Sequence, residues 1–203
     1  MMKLGKPILF ILSGLPASGK STLAKLISKE YNAFYLRIDT IEQALRDLCD
    51  LDVQGEGYRL AYRIANDNLD LKHHVVADSC NPINLTRQEW EKVAIQNKCL
   101  YINIEVICSN KREHEKRCET RDNEVAGLRL PTWDEIQNRE YDVWESDHIK
   151  IDTANRSVED SFSELKKKIV RYLEDNKYRN LAAYATKIIA FAFLLLPCQY
   201  RCN

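Results

Sequence analysis

Glycine and proline are scarce, six and five residues in a chain of 203. That excludes collagen-like, linker-rich and low-complexity architectures. A net charge is missing too, with thirty Lys and Arg standing against thirty Asp and Glu. Coating a nucleic acid needs an excess of cations, so the balance argues against a nucleic-acid partner while leaving room for a local basic cleft. No CxxC occurs among the seven cysteines (Cys49, Cys80, Cys99, Cys108, Cys118, Cys198 and Cys202), and their number is odd. Neither a disulfide scaffold nor a zinc finger is suggested; the thiols read as small apolar side chains of a reduced, cytoplasmic protein. No apolar run reaches the twenty or so residues that span a bilayer. The longest, Leu181 to Leu196, is interrupted by Lys187 and closed by Pro197. It reads as a docked or partner-facing helix, favoured over membrane contact. The C-terminus carries no prenylation box.

With 45% apolar and 30% charged residues, the chain can build a core. Its length fits one domain with an appended tail, expected at residues 1–176 and 177–203. The start, a basic Met1–Lys6 followed by apolar Pro7–Leu12, looks like a short secretory leader. What comes next decides otherwise: Gly14-Leu15-Pro16-Ala17-Ser18-Gly19-Lys20-Ser21 is a phosphate-binding pattern that needs a buried strand directly before it. Residues 7–13 are therefore read as a central parallel strand.

Strand and helix patterns then alternate to residue 173. Strands are expected at Ala33–Ile38, His73–Ala77, Leu100–Cys108 and His148–Ile151. Helices are expected at Lys20–Glu30, Thr40–Cys49, Tyr58–Leu71, Asn110–Arg121 and Ser157–Leu173, with two more opened by capping boxes at Thr86–Glu89 and Thr132–Glu135. Such alternation calls for a parallel sheet with helices on both faces, and ligands then sit outside the carboxyl ends of the strands. Gly14, Asp39, Asp78 and Asp152 each follow an apolar strand, so a glycine-rich loop and three carboxylates gather on that edge.

GxxxxGK[ST] is matched in full by Gly14, Gly19, Lys20 and Ser21. Its amides form an anion nest at a helix N-terminus. Lys20 suits the β- and γ-phosphates, the Ser21 hydroxyl suits Mg²⁺, and Thr22 is placed for the α-phosphate. Asp39 is placed to take a proton from a substrate hydroxyl. Asp78 is placed to hold Mg²⁺ through a water, to bind substrate, or to serve the fold. His114, Arg117 and Arg121 share a helix face ahead of a loop, about 120–133, that reads as a lid, with Arg129 inside it. Trp133, Tyr141 and Trp144 read as a core-facing stripe. Acceptor specificity is expected in segments 50–71 and 79–90.

Five segments, GLPASGKST, RIDTIEQAL, VVADSCNPINLTRQEW, EHEKRCETR and IDTAN, resemble in their order the small P-loop kinases of the AAA-type ATP-binding kinase family. That group takes in chloramphenicol 3-O-phosphotransferase, polynucleotide kinase and gluconate kinase. The resemblance covers residues 7–173. It implies a three-layer P-loop NTPase fold with strand order 2-3-1-4-5, Asp39 as catalytic base, Lys20 and Ser21 on phosphate and Mg²⁺, and Arg117 and Arg121 as lid arginines. One departure stands out: polynucleotide kinases carry an arginine three residues after the base, where this chain has Glu42. The expected activity is transfer of the γ-phosphate of Mg·ATP to a hydroxyl of a small molecule. The alternatives are an ATP-binding regulatory module that offers its tail to a partner or membrane and, less favoured because of Glu42 and the zero net charge, a polynucleotide 5′-hydroxyl kinase.

Overall fold

The computed structural model of the chain describes residues 6–175. The apolar tail expected as a helix at 177–203 lies outside the described residues, as do Cys198 and Cys202. The chain divides into two compact units, residues 1–165 and 166–203; of the second, residues 166–175 are described and are helical.

The first unit is built on a strand with no exposed residue. β1 (Ile8–Ser13) lies between β3 (Val75–Asp78) and β4 (Leu100–Ile107), with β2 (Phe34–Arg37) and β5 (Ile149–Asp152) at the edges. All pairs are parallel, and the order is 2-3-1-4-5, as expected. Parallel strands covered on both faces bury every side chain, which is why Ile8 to Leu12 are all inaccessible. The helices between them are α1 (Lys20–Tyr31), α2 (Ile38–Cys49), α3 (Glu56–Asp70), α4 (Asn84–Gln96), α5 (Lys111–Thr120) and the short α6 (Trp133–Gln137). A further helical stretch occupies 158–175. One face of the sheet packs Leu9, Ile11, Leu36, Val75 and Ala77 against Ala61, Ala65 and Leu69 of α3 and Trp90 of α4. Among the described residues no helix is long and apolar enough to cross a membrane.

Three expectations are corrected. Asp39 does not end a strand: β2 stops at Arg37 and α2 starts at once, so Asp39 lies in the first helical turn, where a carboxylate meets the positive end of the helix dipole. Thr86 does not open α4. The helix begins two residues earlier at Asn84, whose N–H is capped from a distance by Asp142 Oδ2 at 2.7 Å, and the Thr86 hydroxyl donates back to the Ile83 carbonyl. The box at Thr132 is present with both of its hydrogen bonds.

The third correction concerns the aromatic stripe. Residues 139–148 form no helix, and Tyr141 and Trp144 are half-buried around a cation. Arg87 of α4, 2% exposed, lies 4.1 Å from the Trp144 ring centroid and 5.0 Å from that of Tyr141. Its guanidinium donates to the carbonyls of Asn81, Pro82 and Asp142 at 3.0–3.1 Å. A buried charge thus finds backbone dipoles and π faces in place of a carboxylate. Trp133 instead stands edge-on to His114, with ring centroids 5.1 Å apart. Arg87→Met should leave the Asn81 and Asp142 carbonyls without their guanidinium donor, the Pro82 carbonyl keeping the Asp142 N–H, and cost about 3 kcal/mol. Thermal denaturation would read this as a fall of roughly 10 °C in Tm, with faster hydrogen exchange across 139–146.

Candidate active site

The loop between β1 and α1 turns because two of its residues are glycine and a third tolerates strain. Gly14 has φ +146°, and a Cβ there would lie 2.2 Å from the Val106 carbonyl oxygen of β4. Gly19, φ +95°, is the residue before the first turn of α1, and Ala17 also takes a left-handed φ of 64°. Alternation of this kind turns successive N–H groups to one side, at the positive end of a helix dipole. The loop is braced from neighbouring elements. The Gly14 N–H donates to the Cys80 carbonyl at 3.1 Å, the Thr153 hydroxyl donates to the Ser18 carbonyl at 2.8 Å, and His114 Nε2 meets the Pro16 carbonyl at 2.8 Å.

The loop opens on a cleft of about 840 Å³. Of the residues expected to bind nucleotide, Pro16, Ala17, Gly19, Lys20, Ser21 and Thr22 line it; Gly14, Leu15 and Ser18 do not. Asp39, Arg117 and Arg121 line the same cleft, so phosphate loop, carboxylate and arginines come together. Eight basic side chains and four acidic ones line it, and three of the arginines, Arg117, Arg129 and Arg156, are paired with the carboxylates of Glu113, Glu135 and Glu164.

Asp78 stands apart. It is 2% exposed at the end of β3, does not line the cleft, and accepts the Tyr35 hydroxyl on Oδ2 at 2.6 Å; its other oxygen is buried without a hydrogen-bond partner. Burial, then the Asp78 charge, push the Tyr35 hydroxyl well above its ordinary range. Asp152, the third strand-end carboxylate, accepts the N–H groups of Ser109 and Ala154 and serves a turn.

The two arginines of α5 differ. Arg117 is fixed: it donates to the hydroxyl and the carbonyl of Thr153 at 2.8 and 2.9 Å and to Glu113 Oε1 at 2.5 Å. Arg121, which ends the helix, has Nε and Nη2 buried with no partner. Burial lowers its pKa, a cost that a bound anion would offset.

Residues 121–132 carry no helix or strand, and most of them line the cleft. Glu124 accepts from Lys25 of α1 at 2.7 Å and from Arg37 of β2 at 2.6 Å. The hydrogen bond from Lys25, with that from Arg37, holds the Glu124 carboxyl below its ordinary range against a smaller effect of burial. The stability these bonds contribute is thus present above the ordinary Glu value and lost only as pH falls through the lowered one. Arg129, whose side chain is mostly exposed, pairs locally with Glu135 at 2.7 Å.

The segments expected to carry acceptor specificity contribute little to the cleft lining. Of segments 50–71 and 79–90 only Cys80 lines the cleft; the wall is one face of α2, Asp39, Glu42, Gln43 and Arg46, with Arg139 added. Spacings of three and four put these α2 side chains together, a signal available in RIDTIEQALR. Burial pushes the Glu42 carboxyl up, against Arg46 at 3.6 Å. Gly57 of α3 makes room for Glu42, since a Cβ there would lie 2.3 Å from its Cγ.

An AAA domain family matches residues 9–139. No curated protein matches the chain. Among solved structures, a gluconokinase from Sinorhizobium meliloti 1021 is similar at 13% identity and a TM-score of 0.64, covering 85% of this chain and 97% of that one. The Mycobacterium tuberculosis APS kinase CysC in complex with AMPPNP and APS reaches 0.58 at 18% identity, over 83% and 98% of the two chains. Chaetomium thermophilum Kti12 in complex with ADP-AlF3 reaches 0.60 at 20% identity, over 80% and 97%. At such identities the likeness is one of fold, that of the small P-loop kinases.

Proposed function

The chain belongs to the AAA domain family, and from that premise we propose that it is a kinase, moving the γ-phosphoryl group of Mg·ATP to a hydroxyl of a small polar molecule. What carries the reading is a single juxtaposition: the loop bearing Lys20, the carboxylate of Asp39 and the guanidinium of Arg121, with two unpartnered nitrogens, line one cleft. Phosphoryl transfer is catalysed mostly by positioning and by charge stabilisation, and both kinds of group are present.

The loop amides and Lys20 would bind the β- and γ-phosphates. Arg121, with its unpartnered nitrogens, would meet charge on the transferring group. Arg117, already bound to Thr153, would serve as wall at the other end of the loop. Asp39 would accept the acceptor's proton as its oxygen attacks in line, ADP leaving. Magnesium takes oxygen ligands. Ser21 presents a hydroxyl on the cleft wall and would hold it; Asp78, with one unpartnered carboxylate oxygen, lies outside the lining and would act on it only through a water. When bound, magnesium would neutralise phosphate charge.

The acceptor side favours a polyhydroxylated or charged molecule over an aromatic one, because α2 and Arg139 offer carboxylates, an amide and guanidiniums and no aromatic ring. Five free cysteines among the described residues support a reducing, cytoplasmic setting. Calorimetry with Mg·ATP, followed by a screen for ATP-dependent phosphorylation of hydroxylated metabolites, tests the proposal. Saturable magnesium-dependent binding and one phosphorylated acceptor are the expected results; no binding at millimolar nucleotide would end it.

A further inference from the structure

We propose that Glu124 and Arg37 are a positioning pair for Asp39. With Glu124 seated, the Arg37 guanidinium is held off the acceptor-orienting carboxylate; with Glu124 withdrawn, the same guanidinium turns onto Asp39 and blocks it. The inference rests on the reading of Asp39 given above.

Two carboxylates compete for one cation. Arg37 Nη1 donates to Glu124 Oε2 at 2.6 Å, whereas Nη2 stands 3.7 Å from Asp39 Oδ2, too far for a hydrogen bond. Arg37 Nε is buried with no partner, so the guanidinium has unused donors. Among the described residues Asp39 accepts no hydrogen bond; the other charges felt in its neighbourhood are Glu42 on its own helix and Arg121 at the end of α5.

Glu124 belongs to the lid, and three contacts seat it. Lys25 and Arg37 bind its carboxylate, and Gly127 fits against Gln43 of α2, where an added Cβ would lie 3.1 Å from Nε2. Asn123 ties the loop internally through the Leu128 carbonyl and the Val125 N–H. If the loop lifts, Glu124 leaves, and closing the gap to Asp39 takes a shift of less than about 1 Å. A carboxylate paired with a guanidinium is a poorer proton acceptor, and its oxygen is no longer open to a substrate hydroxyl. The carboxylate would thus be released only when the lid is down and bulk water excluded, which limits loss of ATP to hydrolysis.

The test follows the ¹⁵N signals of the Arg37 side chain in the full chain, in wild type, E124Q, D39N and E124Q/D39N. The expected result is that D39N moves them in the E124Q background and leaves them nearly unmoved in wild type. An equal effect in both backgrounds overturns the proposal. Lid amides 121–130 should exchange at least about tenfold faster in E124Q; unchanged exchange also overturns it.

A second readout is turnover of saturating Mg·ATP with water as the acceptor. There Asp39 takes the water proton, an O–P bond forms, the bond to the β-phosphate oxygen breaks, and phosphate and ADP leave. E124Q should be slower than wild type by about tenfold, and adding Arg37→Met should restore part of that rate. A double variant at or below the E124Q rate, with its melting temperature preserved, overturns the proposal; Arg37→Gln replaces Arg37→Met if the latter does not fold. Absence of turnover in every variant would count against the kinase reading alone, since the spectroscopic cycle still decides the pairing.

Discussion

An Asp39→Asn chain is expected to bind Mg·ATP almost as tightly as wild type and to transfer the phosphoryl group about a thousandfold more slowly. The amide has the shape of the carboxylate and cannot take a proton. Asp39 accepts no hydrogen bond among the described residues, so the change strands no protein donor. Its structural cost is the loss of a favourable first-turn interaction with the α2 dipole, on the order of 0.5 kcal/mol, and of the long ion pair with Arg37 at 3.7 Å. Single-turnover measurements with an acceptor from the screen, beside calorimetry, separate the two readings. If turnover is unchanged, Asp39 belongs to the start of the helix and not to the chemistry.

Gly14→Ala should have the largest effect on the fold and the nucleotide together. The new methyl would lie 2.2 Å from one backbone oxygen and 3.0 Å from Ser18 Oγ, at a φ that side chains rarely adopt. Val106 is held in β4 between β1 and β5, so the loop must move, losing the Gly14 bond to the Cys80 carbonyl. A cost of about 3 kcal/mol and a Tm lowered by roughly 10 °C are expected, with no nucleotide binding left. Gly55 provides the control. Nothing lies within 4 Å of its added Cβ and its φ is ordinary, so Gly55→Ala should change neither quantity. Native-like binding by Gly14→Ala would mean that the loop does not grip phosphate.

What could be read in advance was local. β1 announced itself as an apolar run followed by the glycine pattern, the parallel sheet followed from the alternation of elements, and the strand order came from the family resemblance. The Thr132 box was legible because its two partners lie three residues apart. The Thr86 box misled for the opposite reason, since the cap of α4 is Asp142, 58 residues from Asn84. Arg87 gave no signal, its partner rings and the Asp142 carbonyl lying some fifty residues on. Glu124 gave none either, with Lys25 and Arg37 at separations of 99 and 87. Glu42 was visible as a charge near Asp39, yet neither its pairing with Arg46 nor the cleft-lining face of α2 was drawn from the sequence without knowing where that helix begins.

The joint around Arg87 and the seat of Glu124 answer differently to solvent. Carbonyl dipoles and indole or phenol faces do not titrate and are little shielded by electrolyte, whereas the bonds of Glu124 are between partly hydrated ions. Raising ionic strength should therefore loosen the anchorage of the 121–131 loop while the packing around Arg87 keeps its form.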